Sequence, residues 1–152
     1  IINFQGDMPN LDPENIRNLD YLMRKNNNDI GTLASKIKNV EELQNTNIVK
    51  VETFENLDYS NFLKSKDFFR KTTNINILNI YHHIGIYAFS KSVLSKYAKL
   101  SRTKNEIDRK LEQMRALDNN IEIRVALSKS LPLGIDTEED FLLIKKSMEY
   151  KG

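Results

Sequence analysis

The 152-residue chain has no cysteine. Disulfides, thiolate nucleophiles and cysteine-ligated metals are excluded at once. No apolar run approaches the roughly 20 residues that a membrane-crossing helix needs. The opening IINF is too short for a signal-peptide core and meets a polar QGD immediately, so the cytoplasm is the expected compartment. Glycines are few and isolated, at 6, 31, 85, 134 and 152, which leaves no Walker or dinucleotide phosphate loop. Nucleophile-elbow and HExxH patterns are missing too. An excess of one charge is also lacking: 23 Lys and Arg face 21 Asp and Glu, for a net +2. Binding to a nucleic-acid backbone wants a dense basic patch. The densest stretch, KSKDFFRK at 64–71, reads instead as a solvated loop, so nucleic acid is not an expected partner.

What is present fits one domain, expected over 1–152. Hydrophobic residues make up 39% of the chain, enough for a single core. IINF reads as a buried parallel-type strand stopped by Gly6 and Pro9. Asp12, Pro13 and Glu14 supply a cap, a first-turn proline and an acid, opening a helix that should end at the Asn26–Asn28 triplet. Strands are expected near 30–37 and 48–54, with a short helix over 40–43. Residues 55–74 mix aromatics with Lys and Arg without a period and read as a loop. Two strand pieces, or one bent strand, follow over 75–88. Ser90 can cap a helix to about 100. Residues 105–118 give the clearest helical period, with Ile107, Leu111, Met114 and Leu117 on one face. IEIRVAL is a strand, and Thr137 caps a last helix. Alternating strands and helices with apolar strands argue a three-layer α/β fold with a mixed sheet.

Two acids lie where α/β sites collect ligands, beyond strand ends. Asp7 follows the first strand and Asp136 precedes the last helix. Together they could share a hard cation such as Mg²⁺, which takes few carboxylates plus water and phosphate; each alone serves equally well as a cap or turn acid. Gln5 is a polar residue at the same strand end, equally readable as a turn amide. His82 and His83 are the only histidines, and as strand neighbours they face opposite ways. One of them is a candidate hydrogen-bond donor to a substrate, against the plainer role of a structural histidine. Tyr87 falls on the same strand face as His83. On pattern alone Glu112 and Gln113 read as solvent-exposed helix formers.

Five short motifs then add up. QGDMP, NTNIVKV, HIGIYAFSK, LEQMRAL and GIDTEEDF occur in that order. They resemble QGDEP, NPNVVKVV, HIGIYAYR, LEQLRAL and GIDTPEDL of the 3-deoxy-manno-octulosonate cytidylyltransferase (CMP-Kdo synthetase) family. The resemblance implies a nucleotidyltransferase-like, Rossmann-like fold. It also implies transfer of a cytidylyl group from CTP to 3-deoxy-manno-octulosonate (Kdo), giving CMP-Kdo and pyrophosphate for lipopolysaccharide biosynthesis. By motif match, Asp7 and Asp136 would be the catalytic Mg²⁺ carboxylates. Gln5, His83, Tyr87, Glu112 and Gln113 would line the Kdo pocket, and the protein would be a homodimer.

Departures from the family pattern set further expectations. The family carries a nucleotide-binding part ahead of its QGD motif. The chain is therefore expected to be a C-terminal portion, truncated at the N-terminus and lacking that part, with one side of the sheet uncovered and an open edge. Activity would then need a complementing N-terminal fragment; the alternatives are a degenerate, non-catalytic remnant or a binding module of the same fold. Met8 stands where the family has Glu, and Asp108 and Arg109 where it has Ile and Glu. A charge at a buried Ile position would cost stability.

Overall fold

The structure, a computed structural model, describes residues 1–4, 8–73, 78–132 and 138–149. Its elements run β1 (Ile2–Asn3), α1 (Pro13–Asn26), β2 (Ile30–Lys36), α2 (Val40–Gln44), β3 (Lys50–Thr53), β4 (Phe62–Phe69), β5 (Ile80–Phe89), α3 (Lys91–Tyr97), α4 (Lys104–Arg109), α5 (Met114–Asp118), β6 (Ile123–Leu127) and α6 (Glu138–Glu149).

Local chemistry sets these boundaries. Asp12 caps α1 by accepting from the Glu14 N–H at 2.9 Å, Pro13 occupies the first turn, and Asn27 ends the helix in the left-handed region at φ 49°. The Asn39 side chain caps α2, and Ser90 caps α3. The strands order β1-β5-β2-β6-β4-β3. Among the described residues only β2–β6 is parallel; the other pairs are antiparallel. The expected mixed sheet is therefore present, while β1 is a two-residue antiparallel strand rather than a buried parallel one.

Among the described residues the expected open edge is confined to the two-residue β1, which pairs with β5 alone. β3 pairs with β4 on one side and, through residues 50–52, with β5 on the other. That closes the ladder into a ring, and β1 pairs with the far end of β5. Neither face is bare. Leu19 and Leu22 of α1 pack with Leu33, Phe62, Ile84, Ile86 and Ala126 on one side, joined by the buried Met8. On the other, Leu111, Met114 and Ala116 pack with Ile30, Tyr87, Ile123 and Val125.

Three further expectations are corrected. Residues 62–69 form a strand, not a loop. Its buried positions Phe62, Ser65 and Phe68 fall three apart, because β4 leaves β6 after Lys64 and pairs with β3 across an irregular register; a period of two never shows. Next, the helix expected over 105–118 is broken by Lys110, which is left-handed at φ 54°. α4 and α5 are separate, and Ile107 is exposed. Finally, Asp108 is exposed and paired with Lys104, and Arg109 reaches Asp67 at 2.6 Å, so no charge is buried at either position.

A buried lysine ties the ring together. Lys50 Nζ donates to the carbonyls of Asn45 (2.5 Å), Ile48 (2.9 Å) and Arg70 (2.7 Å). Burial, aided by the charge of Arg70, lowers its pKa. The clamp joins the turn before β3 to the end of β4.

Candidate functional site

β5 carries the residues that matter most, and its geometry there is irregular. Thr32 pairs with Tyr87 and Leu33 with Ile84, so Gly85 and Ile86 bulge out of the ladder. A bulge leaves ladder carbonyls without partners and re-aims side chains, and such features recur beside active sites. Here Thr32 repairs it. Its fully buried hydroxyl lies 2.8 Å from the Ile86 carbonyl, 3.2 Å from that of Ile84 and 3.0 Å from His83 Nε2.

The two histidines diverge as strand neighbours should. His83 is buried on the face of α3–α5, with its ring edge-on to Phe68 at 5.2 Å and 5.4 Å from the ring of Tyr87. Burial, with a smaller push from the neighbouring His82, lowers its pKa to about 3. It is a neutral imidazole at ordinary pH. His82 lies on the opposite face, its Nδ1 2.6 Å from the Glu42 carboxylate of α2.

An aromatic row runs on from His83. Tyr87 to Phe89 is 6.2 Å and Phe89 to Tyr97 is 5.8 Å between ring centres. The Arg115 guanidinium caps the row, 5.0 Å from the Tyr97 centre. Burial, with the carboxylate of Glu112 and with Tyr97 nearby, raises the Tyr87 phenol pKa well above its usual value, so it stays a neutral donor and acceptor.

Glu112 and Gln113 occupy the turn between α4 and α5. This corrects their reading as solvent-exposed helix formers: Glu112 is exposed, but Gln113 is buried and makes no side-chain capping bond to α5. The break at Lys110 has a visible partner. Glu106 is buried in α4, closes a capping box with Thr103, and meets Arg115 of α5 at 2.5 and 2.7 Å and Arg102 at 3.2 Å. The Arg115 bonds outweigh burial and hold its carboxyl at about 2. Tyr97 completes the bracket by donating its hydroxyl to the Glu112 carbonyl at 2.8 Å.

Tyr87, Glu112 and Gln113 therefore meet, lining a crevice with Ile30, Phe89, Tyr97, Ala116 and Ile123. His83 is not part of that lining, but its ring lies 5.4 Å from the ring of Tyr87. Free volume is about 10 Å³, the room of about one water. Thr32, Phe89 and Tyr97 were not among the expected site residues. Phe89 was within reach of sequence reasoning, since it follows Tyr87 by two along the strand. Gln5, Asp7 and Asp136 lie outside the described residues.

The described residues do not define a metal position. Among them no group of three or more His, Asp or Glu could hold an ion, and the crevice offers one carboxylate, Glu112. Among the described residues, no helix is long and apolar enough to cross a membrane.

Comparison with known proteins places the fold and the sequence. The structure superposes on a CMP:2-keto-3-deoxy-manno-octonic acid synthetase solved with CTP, at TM-score 0.84 and 26% identity, over 99% of this chain and 62% of that one. A 4-diphosphocytidyl-2C-methyl-D-erythritol synthase from Anaerococcus prevotii shares the fold alone, at TM-score 0.57 and 15% identity, over 97% and 57%. The fold is thus of the nucleotidyltransferase class. The chain itself belongs to the cytidylyltransferase family, whose model matches residues 1–123. Proteins called 3-deoxy-manno-octulosonate cytidylyltransferase are similar: that of Brucella ovis is 38% identical over 140 residues, 92% of this chain and 55% of its own length. That of Bartonella tribocorum is 36% identical over 146 residues, 96% and 59%. The chain spans somewhat over half the length of these relatives. Two expectations are corrected by these matches, that of a C-terminal portion lacking the nucleotide-binding part and that of a fold truncated at the N-terminus. The cytidylyltransferase model matches from residue 1, and the synthetase fold is matched over 99% of the chain.

Proposed function

We propose that the protein transfers a cytidylyl group from CTP to 3-deoxy-manno-octulosonate, giving CMP-Kdo and pyrophosphate. The single observation that carries this reading is the meeting of Tyr87, Glu112 and Gln113 at one crevice, with the His83 ring beside that of Tyr87. A polyhydroxy acid needs several donors and acceptors at fixed positions. An amide, a phenol and a carboxylate supply them, and a neutral imidazole lies beside the phenol. The crevice has room for about one water, so Kdo sits across its mouth, with the Gln113 amide and the Tyr87 hydroxyl turned to the sugar hydroxyls.

In this reading Asp7 and Asp136 hold Mg²⁺, and Gln5 joins the sugar pocket. The bound metal would neutralise charge developing on the phosphate oxygens. The chain's own residues bind and orient the acceptor. The product serves lipopolysaccharide biosynthesis, the compartment is the cytoplasm, and the active form is a homodimer.

The test is equilibrium binding of Kdo to the folded protein, together with CMP-Kdo formation in the presence of CTP and Mg²⁺. Saturable binding and Kdo-dependent release of pyrophosphate are expected, both weakened by Asp7→Asn only when Mg²⁺ and CTP are present. A folded protein that neither binds Kdo nor forms CMP-Kdo overturns the reading.

A further inference from the structure

The Thr32 hydroxyl faces three polar atoms and has one proton. Two of the three, the carbonyl oxygens of Ile84 and Ile86, can only accept. The third, His83 Nε2, can donate or accept according to tautomer. At the bulge, neither Gly85 nor Ile86 has a partner in β2, and β1 and β3 pair with β5 only at residues 87–88 and 80–82. Thr32 therefore answers the carbonyls the bulge exposes. Its proton goes to the nearer one, Ile86 O at 2.8 Å rather than Ile84 O at 3.2 Å. The threonine oxygen is then left as an acceptor at 3.0 Å from His83 Nε2, and that nitrogen must carry the ring's proton.

We propose that Thr32 is a positioning residue for His83: it fixes the imidazole as the Nε2–H tautomer, leaves Nδ1 as the ring's acceptor, and so holds the ring against Tyr87 at the crevice where the polyhydroxy-acid substrate binds. The threonine does two things with one group. It satisfies the bulge carbonyl with its proton and holds the ring with its lone pair. Valine, of nearly the same shape, can do neither. The part of the proposal that concerns substrate rests on the Kdo reading above; the tautomer does not.

The experiment is nitrogen-15 NMR of the imidazole in the full chain at neutral pH. Wild-type protein is expected to show a protonated, pyrrole-type Nε2 and an unprotonated, pyridine-type Nδ1. Thr32→Val should lose that single tautomer, and Thr32→Ser should keep it. A wild-type signal with the proton on Nδ1, or shifts unchanged in Thr32→Val, overturns the proposal. Because the wild-type spectrum alone decides the tautomer, failure of Thr32→Val to fold does not rescue a wrong assignment. In Kdo titrations, Thr32→Val is expected to weaken binding by about fivefold, the worth of one net hydrogen bond, with Thr32→Ser close to wild type. Kdo affinity unchanged in a folded Thr32→Val overturns the link to substrate. Absence of Kdo binding in wild type, with the tautomer as expected, overturns the functional reading and leaves the positioning role standing.

Discussion

The two faces of the β2–β5 pair are built differently. Toward α1 the sheet is filled to contact. A Cβ added at Gly31 would lie 2.7 Å from Met23 Sδ, 2.8 Å from Phe62 Cζ and 3.0 Å from Leu19 Cδ1. Toward α3–α5 the apolar core that includes Ile30, Ile123 and Val125 is interrupted by the buried Thr32, His83 and Tyr87, and a Cβ added at Gly85 in the bulge would meet nothing within 4 Å. The lesson is an added task for one face of the sheet. Apolar packing on both faces carries the stability, and the face toward α3–α5 also accommodates a neutral buried histidine, a bulge and free space, the features on which the proposed ligand site rests.

The largest expected effect sets the buried histidine against acid. Unfolded His83 would titrate near 6.5, but the folded ring holds out to about 3. Between those values the unfolded chain binds a proton that the native protein does not. The stability His83 allows is thus full above 6.5 and falls by about 1.4 kcal/mol per pH unit on the way to 3. Urea unfolding followed from pH 7 to pH 4 should show this slope, and His83→Gln should flatten it. An equal slope in the variant would place the acid sensitivity elsewhere.

Gly31→Ala comes next. Its strand has no slack toward α1, so overpacking should cost about 1–3 kcal/mol. Its counterpart is the smallest effect expected: Gly85→Ala should move the unfolding free energy by no more than about 0.5 kcal/mol, since the site is open and the glycine's φ is not positive. If the two glycines tolerate alanine equally, the contrast between the faces fails.

Between these lies the Glu42–His82 pair, which ties α2 to β5 away from the crevice. Burial raises the Glu42 carboxyl, but bonds from the Lys38 N–H and from His82 outweigh it, and its pKa falls below the usual value of 4.5. Its contribution is therefore present above 4.5 and lost as pH falls below it. Glu42→Gln should cost about 1 kcal/mol at neutral pH and leave substrate affinity alone, as read by denaturant midpoint and calorimetry.

Much of the fold was legible in the sequence where local chemistry was strong. The caps at Asp12 and Ser90, the stop at Asn27, and the apolar strands β2 and β6 were all predictable from residue type. The opposite aims of His82 and His83 followed from strand alternation. What failed depended on distant partners. β4 was hidden because it changes neighbours midway, and the α4–α5 break was hidden because it answers a long-range bracket, Glu106 to Arg115 to Tyr97. The same break moved Gln113 from an exposed helix face into the crevice, so pattern alone misread its exposure. Thr32 carried no signal at all, since its role exists only because β5 bulges opposite it.

The central claim is that the crevice face binds the acceptor sugar. The most direct measurement is calorimetric titration of Kdo into wild type, Tyr87→Phe and, as a control on the opposite face, Glu42→Gln. The account predicts saturable binding, weakened by about fivefold or more in Tyr87→Phe and unchanged in Glu42→Gln. No binding by the folded wild type, or equal weakening by both variants, would contradict it.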